Sequence, residues 1–522
     1  MERKAVKYPI GQQSFEVLRK GGFLYVDKTM YLDKIVNGSQ YYFLGRPRRF
    51  GKSLFLSTLQ AFFEGKRELF KGLYADSMEW DWEPYPVIYL DLNPQRYQED
   101  ADFSDLDVTV DETLKIHEER LGINSPNENL SARFSFLIRK LSEATGKGVV
   151  ILVDEYDKPL VNNINDRQRF ITYRNKLAAL YSNFKSSAPY LRLVFLSGVS
   201  RFGKLSVFSG LNNIRDISFL SDFSAICGIT DTELKDNFQE GILQLAEENG
   251  RTPPEEAAVL KRWYDGYHFS KRSSDIYNPF SLLQVFASRE YSNFWIESGN
   301  STLLAEQLKR TNSDLKALIN ARCAQNTLEG LDIDNISPLA LLYQTGYLTI
   351  KKYDSRREIF HLGIPNEEVK QGFFEQLLPY YSSLTKDTVH VFIFDLIDEM
   401  EEGRVDDFMK RLQSLFAGFG HDLKFEEERN VSNAMLIVFS LIGMHVDAEV
   451  RTSDGRIDIL VRTADYLYIM ELKYDKSARE ALDQIERKEY ALPWAVDSRQ
   501  VIGIGINYSS EKRRIDEWVM KR

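Results

Sequence analysis

Two distant stretches of the chain carry residue types at spacings from which phosphate chemistry is built. The first runs Tyr41-Tyr-Phe-Leu44, then Gly45-Arg-Pro-Arg-Arg-Phe-Gly-Lys-Ser53, then an apolar segment with helical spacing. A strand, a tight turn and a helix whose first N–H groups face the turn make a cradle for phosphate. Gly51 lets the backbone approach closely, Lys52 reaches the β- and γ-phosphates of a nucleotide, and the Ser53 hydroxyl is a Mg²⁺ ligand. Gly45, Arg46, Arg48 and Arg49 complete the loop, and phosphate binding accounts for their charge. The usual spacing would put the first glycine at position 46, where Arg stands, so Gly45 is one residue early. An Arg-rich strand-to-helix turn without a nucleotide is the alternative reading of this segment taken alone.

A partner strand favours the nucleotide. Gly148-Val-Val-Ile-Leu-Val-Asp-Glu155 is apolar on both faces and ends in two acids. In a P-loop site Asp154 holds Mg²⁺ through water and Glu155 positions the attacking water. Both halves then fall at the carboxyl edge of a parallel sheet, where open α/β folds bind ligands. A third strand, Leu191 to Leu196, leads to Ser197 and Arg201. Ser197 is a candidate γ-phosphate sensor and Arg201 a candidate for stabilising charge in transfer, although a serine after a strand is also ordinary turn chemistry.

The second stretch is C-terminal. Gly455-Arg-Ile-Asp-Ile-Leu-Val461 and Tyr466-Leu-Tyr-Ile-Met-Glu-Leu-Lys473 read as two strands of a hairpin. Alternation puts Leu467, Ile469, Glu471 and Lys473 on one face. A charged pair continuing an apolar face is costly without partners, and Asp458 on the neighbouring strand is the natural one. Two carboxylates on adjacent strands suit a hard cation such as Mg²⁺, and Lys473 would orient or activate water against a phosphodiester. Asp458 followed by Glu471-x-Lys473 is the PD-(D/E)xK pattern. The resemblance to that pattern implies two further positions by order, Glu428 as a candidate metal ligand and Gln484 as a candidate catalytic residue. An ordinary surface hairpin with a Glu–Lys pair is the alternative, and His445 is expected to pack rather than ligate.

Taken together, Tyr25-Val-Asp-Lys-Thr29, Arg46-Pro-Arg-Arg-Phe-Gly-Lys-Ser53, Val153-Asp-Glu-Tyr-Asp157 and Ser197-Gly-Val-Ser-Arg-Phe202 resemble the bacterial AAA-ATPase-like family. Trp263-Tyr-Asp-Gly-Tyr267, Tyr277-Asn-Pro-Phe280 and Ile364-Pro-Asn-Glu-Glu-Val369 resemble its middle region, so the likeness covers nearly the whole chain. It implies an ATPase module joined to a C-terminal PD-(D/E)xK domain, and it implies that Arg at position 46 is a family habit. The chain departs from the family after Glu428, where Asn430 and Val431 replace a usual pair of tyrosines.

These groups need elements to position them. A chain of 522 residues exceeds one ordinary core. Alternating strands and helices give an α/β multidomain expectation: a P-loop parallel sheet, a helical and winged-helix middle, and a restriction-endonuclease-like α/β domain. The expected segments are 1–225 for the ATPase, 226–337 for a helical lid, 338–375 for a winged-helix-like unit with a hairpin of Tyr347–Tyr353 and Ile359–Ile364, 376–420 for a helical connector and 421–522 for the nuclease-like domain. On the hairpin, Lys351, Lys352, Arg356 and Arg357 hint at DNA contact. A net charge of −10 argues against a surface coated for DNA while leaving local basic patches open. Cys227 and Cys323 are far apart, which argues against disulfides and structural zinc. Without a signal segment or membrane span, a cytoplasmic protein is expected. The expected cofactors are ATP and Mg²⁺. The expected partners are nucleic acid, DNA rather than RNA, and a homo-oligomer or a regulatory protein. The reading is an ATP-regulated nuclease, with a slowly hydrolysing signalling switch or a non-catalytic interaction protein as alternatives.

Overall fold

Runs rich in Val, Ile, Leu, Tyr and Phe favour extended backbone, and they become buried strands where helices cover both faces. The structure, a computed structural model, describes residues 6–93, 97, 103–126, 129–201, 213–297, 301–331, 336–417, 428–453, 456–494 and 496–522. In the N-terminal part β1 (Tyr41–Gly45), β2 (Val87–Asp91), β3 (Val149–Asp154), β4 (Leu191–Gly198) and β5 (Arg215–Asp216) form a five-stranded sheet in the order β2-β3-β4-β1-β5. Every pairing in it is parallel. The order has a consequence for chemistry: β4 lies between the strand that leads into the loop and the strand that ends in Asp154. The helix Lys52–Phe63 packs on β2, β3 and β4 through a face that includes Phe55, Leu56 and Leu59.

The segment expected to be a helical lid is not purely helical. It also contributes β6 (Ile229–Thr230) and β7 (Ile276–Tyr277), which pair with each other, and β8 (Arg322–Cys323). The expected hairpin is present as β9 (Thr349–Asp354) and β10 (Ile359–Gly363), and β8 joins it to give the order β8-β10-β9. The C-terminal sheet comprises β11 (Asp447–Ser453), β12 (Arg456–Arg462), β13 (Tyr466–Tyr474), β14 (Gln500–Ser509) and β15 (Arg514–Lys521), in sequence order. β13 and β14 run parallel, and the other neighbours are antiparallel.

Two compact units result, Met1–Gly299 with Ala321–Asn366, and Asn300–Asn320 with Glu367–Arg522. They cut across the five expected segments. The helix Glu367–Leu377, expected to close a winged-helix unit, belongs to the second, because it packs against the helix Glu428–Ile442. Cys227 and Cys323 are both free and buried, and no helix among the described residues is long and apolar enough to cross a membrane.

The motif Trp263-Tyr-Asp-Gly-Tyr267 has a structural role. Asp265 ends the helix Pro253–Tyr264, and its carbonyl accepts a hydrogen bond of 2.9 Å from Asn366 Nδ2, tying this segment to the one after β10. Its carboxylate is 2% exposed, with Oδ1 lacking a hydrogen-bond partner and Lys261 3.8 Å from Oδ2. Burial pushes the carboxyl up from 3.8 to about 6. A group raised in the folded state favours folding below its unfolded pKa, and that contribution is lost as pH rises through the folded value. Asp265→Asn therefore stabilises the N-terminal unit above pH 6 and is neutral near pH 4, as urea unfolding at the two pH values will show.

Candidate functional site

The loop after β1 is held from behind by residues remote in sequence. Arg46 is 1% exposed. Its Nη1 donates to the carbonyls of Gly45 and Ser218 at 3.0 and 2.8 Å, and its Nη2 to those of Phe223 and Ser224 at 3.0 and 3.4 Å. The guanidinium carbon sits 4.4 Å from the Phe269 ring centroid. Phe50 is buried edge-on against Tyr267 and Phe269, and Trp295 Nε1 donates to the Arg48 carbonyl at 3.2 Å. Gly51 then turns with φ +94°, a left-handed conformation that glycine adopts without strain, and open space lies where a Cβ would be. The helix starting at Lys52 follows.

This arrangement frames a cavity of about 330 Å³ lined by Arg48, Arg49, Gly51, Lys52, Ser53, Asn93, Glu155, Lys158 and Phe280, among others. Lys52 Nζ donates to the Arg46 and Pro47 carbonyls, both at 3.1 Å, so it is folded onto its own loop. Arg49 lies over the Phe280 ring at 4.6 Å. Glu155 has φ +48°, unusual for a residue with a side chain and of a kind that collects at functional sites, and its carboxylate is 3.7 Å from Lys158 Nζ.

Asp154, at the end of β3, is buried. Its Oδ1 accepts from the Ser197 hydroxyl at 2.6 Å and from the Glu155 N–H at 3.0 Å, and its Oδ2 accepts from the Tyr89 hydroxyl at 3.2 Å. The position of β4 between β1 and β3 is what brings Ser197 there. Asp157 binds the far side of the same strand end, accepting from Ser200 N–H at 2.5 Å, and its burial pushes its carboxyl up.

Three sequence expectations change at this site. Arg46 was read as a phosphate ligand, but its side chain is spent on main-chain carbonyls away from the cavity. Arg201 was read as a charge stabiliser, but it is ion-paired with Asp216 and stacked 4.5 Å from the Phe219 ring centroid. Both line a separate small cavity of about 20 Å³, as does Gly45, because a buried guanidinium takes the nearest carbonyls, carboxylate and ring faces. The Ser197 hydroxyl faces Asp154, and neither side chain lines the larger cavity; Asp154 sits behind it, held by Ser197 and Tyr89. Conversely, Tyr89, Asn93 and Lys158 join the site without having been singled out. Lys158 lies one turn beyond Glu155 and was legible in principle; Tyr89 and Asn93 depend on strand order.

In the C-terminal unit, β13 is buried along both faces. Leu467 and Ile469 pack against Leu482 and Ile485 of the helix Ala478–Arg487, on the face predicted by alternation. Glu471 and Lys473 continue that face at 0% and 7% exposure, and Gln484, from the same helix, is 4% exposed. Lys473 Nζ donates to Glu471 Oε1 at 2.6 Å and to Gln484 Oε1 at 2.8 Å, while Gln484 Nε2 donates to Glu471 Oε1 at 2.6 Å. Each pair of the three is bonded, which is how a buried charge pair is made tolerable. Gly505 on β14 permits the close approach: a Cβ there would lie 2.2 Å from the Ala478 carbonyl oxygen.

The register sets Asp458 of β12 directly across from Glu471, and the Asp458 side chain lies outside the described atoms. Carboxylate oxygens at these two positions are the donor type a hard divalent cation takes, with water and phosphate oxygens needed to complete its shell. Among the described residues no three His, Cys, Asp or Glu side chains gather into a metal-sized cluster. Glu428 is exposed at the first turn of the helix Glu428–Ile442 and makes no hydrogen bond or ion pair with the described members of the network. His445 packs with its ring centroid 4.6 Å from that of Phe394.

Gln484→Ala removes one hydrogen bond from each of two buried charged groups and will cost the C-terminal unit about 2 kcal/mol in denaturant unfolding. Gly505→Ala, which adds no polar change, will match or exceed that loss by lifting the helix that carries Gln484.

Comparison with known proteins gives one family match within each unit. The family described as a predicted AAA-ATPase matches residues 9–208, and the PD-(D/E)xK nuclease superfamily matches residues 426–518. A protein of Azotobacter chroococcum mcd 1, described as an uncharacterized protein in the vnfD 5′ region, is 34% identical over 540 residues, spanning 100% of this chain and 99% of that one. The chain belongs to the AAA-ATPase-like family and carries a PD-(D/E)xK nuclease-superfamily domain in its C-terminal part.

Proposed function

We propose that the N-terminal unit binds ATP with Mg²⁺ and that nucleotide state regulates a Mg²⁺-dependent nuclease in the C-terminal unit, with DNA as its substrate. The observation that carries the nuclease reading is the buried Lys473 ammonium, fixed by Glu471 and Gln484 with Asp458 across the ladder. Glu471 and Asp458 would hold the cation, which when bound supplies Lewis acidity and a water of lowered pKa. Lys473 orients that water and offsets the charge that builds on the phosphodiester, and Gln484 holds Lys473 in place.

For the nucleotide, the loop's open Gly51 and the first N–H groups of the following helix receive phosphate oxygens. Lys52 would exchange its loop carbonyls for the β- and γ-phosphates. Ser53 and Asp154 would hold the metal, with the Ser197 and Tyr89 hydroxyls fixing the Asp154 carboxylate, and Glu155 would position water. An adjoining apolar cavity of about 90 Å³ shares Pro9, Gly51, Leu54, Pro279 and Leu283 with the larger one and suits a nucleobase.

The deciding experiment is metal-dependent cleavage of labelled DNA with and without ATP. Cleavage is expected from the wild-type chain and is expected to vanish in Asp458→Ala and in Lys473→Ala; full activity in both variants rules out this centre. Calorimetry should show ATP binding that Lys52→Ala abolishes. A second reading, a switch that binds ATP and seldom hydrolyses it, is favoured by the Lys52 ammonium already being bonded to two carbonyls of its own loop. Steady turnover without any partner, lost in Glu155→Gln, counts against that reading.

A further inference from the structure

The three-stranded sheet β8-β10-β9 has one apolar and one polar face. Cys323, Phe360, Leu362 and Ile350 are buried, and Cys323 pairs with Phe360 as Ile350 does with Leu362. On the other face, Arg322 of β8 stands opposite His361 of β10, and His361 stands opposite Lys352 of β9. These three positions form one row across the strands, with Arg322 and Lys352 exposed. At a strand spacing of about 4.8 Å the row spans about 10 Å. Exposed Arg356 extends it at the turn between β9 and β10.

Among the described residues, Arg322, Lys352 and Arg356 have no carboxylate within ion-pair distance, whereas neighbouring Arg357 is paired with Asp354 at 3.4 Å. Lys351 does not share the role the sequence suggested for it. The register shift between His361 and Leu362 leaves it as the extra residue of a bulge, and its ammonium donates to the Pro365 carbonyl at 2.7 Å. Of the acids around the sheet, Asp354 accepts from the Arg356 and Arg357 main-chain N–H groups at 2.9 and 3.2 Å and also faces His361, while Asp275 and Asp265 act on Lys351. Three exposed cations without a carboxylate partner, Arg322 and Lys352 on this face and Arg356 at its turn, in a chain of net charge −10, fit a polyanion. One DNA strand offers a phosphate every ~3.4 Å of helix axis, so a row of this length meets more than one.

We propose that this sheet face docks the phosphodiester backbone of duplex DNA through Arg322, His361, Lys352 and Arg356. The choice of DNA rests on the nuclease reading above; the surface supplies affinity that the buried Glu471–Lys473 centre does not. Docking through phosphates is independent of base sequence and sensitive to salt.

The test is fluorescence anisotropy of a labelled DNA duplex titrated with the full chain, without divalent metal, at several salt concentrations. Arg322→Ala/Lys352→Ala should weaken binding about tenfold and lower the slope of log affinity against log salt by about two, with Arg356→Ala lowering it by about one more. Lys20→Ala/Lys235→Ala, elsewhere on the exposed surface, should leave affinity and slope unchanged. A wild-type slope in the triple variant overturns the proposal, as does tighter binding of duplex RNA than of DNA through the same residues. Cleavage by the wild-type chain with no effect of these substitutions on binding rejects the surface and spares the nuclease reading. A lowered slope in a chain that cleaves no DNA with any metal does the reverse.

Discussion

The buried guanidinium of Arg46 is the constraint around which the N-terminal unit is arranged. A charge taken out of water must be met by oriented dipoles, and here they come from Gly45, Ser218, Phe223 and Ser224, with the Phe269 face beneath. Those partners lie 172 to 178 residues along the chain for three of the four carbonyls. The conformation of the Gly45–Ser53 loop is thereby tied to the formation of the segment after β5. The same stretch of chain anchors the loop's next residues: Gly228 N–H bonds to the Phe50 carbonyl at 3.1 Å. A loop whose first glycine is displaced by an arginine is thus held by long-range bonds instead of by its own turn chemistry.

The C-terminal centre solves a related problem with fewer parts. A lysine and a glutamate on one strand face would be costly under a helix, and a single glutamine from that helix bonds to both. The helix can come that close because β14 presents Gly505 beneath Ala478 and Leu482. Packing and chemistry are one arrangement here: the helix that completes the core also fixes the ammonium.

Both centres lie where strands end or face one another, and in both a neighbouring element corrects what a single strand would leave exposed. In the N-terminal sheet the neighbour is β4, whose Ser197 hydroxyl binds Asp154. This explains why Ser197 and Arg201, adjacent in sequence to a strand end, have different fates. Ser197 points to the acid at the next strand, while Arg201 turns to Asp216 on β5's side of the sheet and its main chain is bound by Gln344 and Leu331.

Sequence alone determined the strand–loop–helix at 41–63, the acid-tipped strand at 149–154 and the shared face of Leu467, Ile469, Glu471 and Lys473, because local periodicity and short spacing encode them. It also reached Gln484, by its order after the motif strand. Only the tertiary structure decided that Arg46 and Arg201 brace the fold, that Tyr89 and Lys158 join the site, and that Arg322 lines up with His361 and Lys352. Those outcomes depend on strand order, on a bulge at Lys351 and on carbonyls far along the chain. Such partners leave no periodic trace near the residue they capture, so they become visible only when the chain is folded.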